Sequence, residues 1–117
     1  MHVLIIVSLL ANVIVLVPVC YGLLVDASWT ASAYGPPTDA RQILLSVYLA
    51  IGLVSAVLLV LRDPRLVAAL LAVQVAYKLS TPLTVGSIFH PVVMTNLAVA
   101  MLHMVTLVAI WRTLLCA

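Results

Sequence analysis

Lys78 is the side chain in this sequence that most needs a chemical explanation. It stands inside a long apolar stretch, residues 65–85. An ammonium placed in hydrocarbon costs about 2.5–3.5 kcal/mol on insertion scales, so it needs a partner, a ligand or a route to water. Residue counting at a rise of about 1.5 Å places Lys78 at the same depth as Tyr48 and Asn96, roughly 8–12 Å inside one boundary. Tyr77 stands beside it in sequence, and Thr81 and Thr95 are near the same depth. Lys78, Tyr48, Asn96 and Tyr77 are therefore the candidate ligand-binding group. Such a set can hold an anionic or carbonyl-bearing molecule, or can satisfy itself with the carbonyls freed by Pro82.

A second polar set lies nearer the other boundary. Asn12, Ser55, Gln74 and His103 each fall about 10–14 Å from it by the same count. Gln74 and Lys78 are four residues apart and share a helix face. Asn96 and His103 are seven apart and share another. The expectation is two polar stripes facing each other, with Asn12, Ser55, Gln74 and His103 as an interhelical hydrogen-bonded layer. Gly22, Gly52 and Ala56 read as helix-contact positions.

Other chemistries find little support. A bis-histidine haem needs two histidines at one depth, and only His103 of a second copy would match His103. No span contains the carboxylate that a proton-coupled transporter uses. Thr84-Val85-Gly86 echoes part of a potassium filter, but Ser87-Ile88 breaks the pattern. No nucleophile–base pair, phosphate loop or metal-ligand spacing occurs, so neither an enzyme nor a metal or other cofactor is expected.

The elements that must carry these residues are legible from composition. The chain has 117 residues, 67% hydrophobic and only 7% charged, with mean hydropathy +1.37. Soluble domains carry about 25% charged residues. Four apolar runs, residues 3–25, 40–61, 65–85 and 91–115, each suffice to cross a hydrocarbon core of about 30 Å. Backbone groups in lipid must be satisfied within a segment, so the runs are helices. The first run is longer than a signal-peptide core and is read as a retained helix. The fold class is all-α: an integral membrane, antiparallel bundle of four transmembrane helices in a single domain.

Punctuation supports these limits. Residues 26–39 form the one long loop, with Gly35-Pro36-Pro37 breaking any helix. Trp29 and Tyr34 suit an interfacial belt. Thr38 or Asp39 can cap the second helix, and Asp63 the third with Pro64 in its first turn. Pro91 opens the fourth. The short connections make helices two, three and four neighbours. Arg62, Arg65 and Arg112 share one side, against Arg41 with Asp26 and Asp39 on the other. The positive-inside rule then puts both termini in the cytoplasm and the long loop outside. Cys20 and Cys116 fall on opposite sides and cannot form a disulfide framework. With no basic cluster, nucleic acid is not a partner.

The layout, the size and the stretch Ala76-Tyr77-Lys78-Leu79-Ser80-Thr81-Pro82-Leu83-Thr84-Val85-Gly86, followed by Asn96 and His103, resemble small uncharacterised bacterial membrane proteins of the DoxX-like kind. The resemblance implies a four-helix bundle in the bacterial inner membrane and no established reaction. The size is also similar to that of small multidrug-resistance transporters, but those carry a glutamate in the first helix where this chain has Asn12. The function expected first is a non-enzymatic accessory or structural subunit, embedded in the bilayer as a homo-oligomer or within a larger membrane complex, with the first helix as its contact surface. The alternatives are a small-molecule or lipid carrier using the Lys78 pocket, and a quinone- or haem-associated redox subunit.

Overall fold

The computed structural model describes residues 1–115, all of whose regular structure is helical. The order is α1 (His2–Leu24), α2 (Ser28–Tyr34), α3 (Asp39–Leu61), α4 (Pro64–Val85) and α5 (Pro91–Leu115). The four long helices are each long and apolar enough to cross a membrane. They fall within one or two residues of the expected segments. Cys116 lies outside the described residues.

The helix ends follow the capping chemistry in the sequence. Thr38 Oγ1 accepts from the Arg41 backbone N–H at 3.3 Å and starts α3. Asp63 Oδ1 accepts from the Arg65 N–H at 3.0 Å and starts α4, with Pro64 in the first turn, where its missing N–H costs nothing. Gly86 closes α4 at φ +81°, a left-handed conformation that favours glycine.

The loop expected over residues 26–39 contains the short helix α2. Its Trp29 ring packs so closely on α1 that a β-carbon at Gly22 would overlap it. Gly22 is thus a contact residue, as expected, but the contact is with the loop. A β-carbon added at Gly52 would only reach ordinary van der Waals contact with Leu16 of α1, so this position does not demand glycine.

Packing departs from sequence adjacency. α1 lies along α3, and α4 along α5, with α1 also against α5. α3 and α4 touch only sparingly. Between them opens an apolar groove of about 590 Å³, walled by Leu53, Val57 and Leu61 on one side and Leu66, Leu70 and Val73 on the other. The short turn at Arg62 and Asp63 joins α3 to α4 but does not make them packing partners, because the buried faces of both are taken by other helices. The core has two apolar clusters. Ile5, Leu9, Leu58, Val67, Leu71 and Ile110 form one. Leu16, Cys20, Leu23, Leu45, Tyr48 and Ile51 form the other.

Candidate ligand cavity around Lys78

Between the two apolar clusters lies a polar floor. Asn12 Nδ2 donates to Gln74 Oε1 at 2.7 Å, and Gln74 Nε2 donates back to Asn12 Oδ1 at 3.1 Å. Asn12 Nδ2 also donates to Ser55 Oγ at 3.1 Å. Three helices are joined by one carboxamide pair and a hydroxyl, all buried. Reciprocal amide bonding of this kind fixes helix register, since neither partner finds a substitute in an apolar interior. His103 does not join this set. It is fully buried, yet neither ring nitrogen has a hydrogen-bond partner among the described residues. The residue count gave its depth but could not show whether its ring nitrogens find partners. A further polar contact, Ser8 Oγ with Thr106 Oγ1 at 2.6 Å, ties α1 to α5. Thr106 also donates to backbone carbonyls of Leu4 and Leu102.

On the α2 side of this floor is a cavity of about 240 Å³. Lys78, Tyr48, Tyr77 and Asn96, drawn from α3, α4 and α5, all line it, together with Thr95 and Asn12. Trp29, Ala33 and Tyr34 cover it from the α2 side. The structure thus brings all four candidate ligand-binding residues around one space. Lys78 is 6% exposed. Its Nζ lies 5.8 Å from the centroid of the Tyr77 ring, near the outer limit of a cation–π contact. No hydrogen bond from Nζ to any described residue is made.

The backbone around Lys78 is prepared for this position. Pro82 lacks the N–H that would bond the Lys78 carbonyl. The Thr81 hydroxyl donates to that carbonyl at 2.7 Å instead. Ser80 likewise donates to the Tyr77 carbonyl at 2.6 Å. The carbonyls near Pro82 are therefore occupied by neighbouring hydroxyls, and do not serve Lys78.

Two residues have roles that sequence reasoning missed. Tyr34, expected at the membrane interface, turns inward and meets the Tyr48 ring edge-on, with centroids 6.1 Å apart and planes at 76°. Burial pushes its phenol above the ordinary tyrosine range, so it stands in the cavity wall as a neutral hydroxyl. Arg41 counted only toward membrane orientation, yet its guanidinium is buried beneath the loop. It donates to Asp26 Oδ1 at 2.7 Å, to the Gly35 carbonyl at 3.0 Å and to Thr30 Oγ1 at 3.4 Å. It holds both ends of α2 to the start of α3. The Gly35-Pro36-Pro37 break and the acid at Asp26 were the available signals, but only a closed loop brings them to Arg41.

A second space of about 460 Å³ shares Tyr34, Tyr48, Tyr77 and Asn96 with this cavity and is lined also by Thr81 and His90. No protein-family model, curated protein or solved structure matches this chain.

Proposed function

We propose that the chain is a non-catalytic integral protein of the bacterial inner membrane that binds a small molecule or lipid in the cavity around Lys78. The four long helices cross the bilayer as an antiparallel bundle, with both termini in the cytoplasm and α2 on the outer face. Arg62, Arg65 and Arg112 on one side support this orientation. The single arginine of the other side, Arg41, is tied to Asp26 within the loop. The observation that carries the binding reading is Lys78: a buried cation on the wall of a 240 Å³ cavity, with no hydrogen bond to the protein. A lysine serving only as interhelical glue would be satisfied by its neighbours. This one faces space that a ligand can fill.

The test is co-purification. The native protein and Lys78→Met are extracted from their own membrane under identical conditions, and bound small molecules are identified by mass spectrometry. Methionine keeps the length of the side chain without the charge. The expected result is a molecule retained by the native protein and lost from the variant at equal helical content. Identical profiles would end the binding reading.

A second reading, the accessory subunit or homo-oligomer, draws on α1. Its outward face carries Val3, Val7, Leu10, Ile14 and Val17 at alternating spacings of four and three, the repeat of a helix–helix seam. Native mass spectrometry from nanodiscs discriminates here, and a lone monomer at working concentration removes this reading.

A further inference from the structure

Charge pairing within the chain narrows the ligand class. The sequence has only three acidic side chains, and none lines the cavity. Asp26 is held by Arg41. Asp63 caps α4. Asp39 is exposed in the first turn of α3. Lys78 therefore has no carboxylate partner among the chain's side chains, and its Nζ lies over the Tyr77 ring, 5.8 Å from the centroid. A buried ammonium without a counter-charge is strongly unfavourable, and an anion entering the cavity would relieve it.

From this we infer that the cavity takes a monoanionic carboxylic acid, its carboxylate on Lys78 and its apolar body against Trp29, Tyr48 and Tyr77. The inference rests on the binding reading above and specifies its ligand. The other polar groups on the cavity wall suit a carboxylate: the Asn96 amide and the tyrosine hydroxyls are neutral donors for its second oxygen. One cation balances one negative charge. A phosphate dianion would bring an unpaired charge into an apolar wall. The size sets a further limit. A cavity of about 150 Å³ accommodates benzene, so 240 Å³ holds roughly ten non-hydrogen atoms. That is a phenyl ring on a short acid, or the head of a longer acyl acid whose chain runs into the adjoining 460 Å³.

The experiment uses the full chain in phosphatidylcholine nanodiscs, with Trp111→Phe so that Trp29 alone reports on the cavity. The probes are 3-phenylpropionate, its uncharged amide, and palmitate. The expected result is that an acid binds and that the short acid binds roughly tenfold or more tighter than the amide, the size of one charge-assisted hydrogen bond. Lys78→Met removes that preference. Displacement of the short acid by palmitate, or binding of palmitate alone, supports an acid drawn from the bilayer. Binding of the short acid without competition supports a free aromatic acid. Equal affinity for acid and amide on the unsubstituted chain overturns the carboxylate assignment and leaves the binding reading standing. Failure of all three probes to bind overturns the carboxylic-acid inference, while the binding reading stands or falls on the co-purification above. The acid–amide comparison needs no cavity variant, so it decides the matter even where Lys78→Met does not fold.

Discussion

Asn12 and Gln74 show how much a single pair of neutral side chains determines. Each supplies both a donor and an acceptor to the other, so removing one strands the partner's amide in an apolar interior. Asn12→Leu and Gln74→Leu should each lower stability in mixed-micelle unfolding by about 0.6–1.7 kcal/mol, the range of measured interhelical hydrogen bonds in membranes. The double variant should lose less than the sum of the two. His103 offers the contrast. With neither nitrogen bonded, it gains nothing from being polar. His103→Leu should therefore leave stability unchanged or raise it in the same assay. A loss as large as that of Asn12→Leu would mean that the ring is a hydrogen-bonding member of the layer after all.

Among the elements, α2 has least of its own to hold it. Seven residues cannot sustain an isolated helix in water, so its stability comes from what grips it. The grip consists of Arg41, which ties Asp26, Thr30 and Gly35 together, and of Trp29 seated on Gly22. The same helix supplies Ala33 and Tyr34 to the cavity wall, so the strap and the site are one structure. Arg41→Ala removes three contacts and leaves the Thr30 hydroxyl still bonded to the Ala27 carbonyl. Hydrogen exchange across residues 28–34 should rise by one to two orders of magnitude, matching a local loss of roughly 1–3 kcal/mol. Exchange in the middle of α1 and α4 should not change. Unaltered protection of α2 would show that Trp29 alone suffices.

At the scale of the whole molecule, the arrangement of charge and the arrangement of helices make separate demands. Arginines gather where α3 meets α4 and near the end of α5, while α2 and the cavity lie toward the opposite ends of those helices. If the bundle sits in the membrane as proposed, Ser32, exposed on α2, faces the outer compartment. A Ser32→Cys chain lacking Cys20 and Cys116 should react in intact cells with a maleimide that cannot cross the membrane. Labelling only after the cells are opened would reverse the orientation. The packing has its own logic. α1 lies against both α3 and α5, so its buried face is occupied within the chain, and any contact with a second copy must use its outward stripe.

The sequence by itself determined the elements and their ends. Runs of about 20 apolar residues have no folded alternative to the helix in a bilayer, and Thr38, Asp63, Pro64, Gly86 and Pro91 act within one turn of where they stand. It also determined depth, because rise per residue is fixed; that is why Lys78, Tyr48 and Asn96 could be assigned to one layer and are found around one cavity. Depth along a helix says nothing about rotation around it or about which helices pair. Tertiary structure alone decided that α3 lies along α1 and not α4, that the His103 ring nitrogens stay without a partner beside the bonded Asn12–Gln74 pair, and that the Tyr34 ring meets Tyr48 at the cavity wall. It also brought Asp26, fifteen residues before Arg41 in the chain, to within 2.7 Å of its guanidinium. These outcomes depend on how side chains from separate segments fill a shared interior, and that competition is settled only when the segments pack.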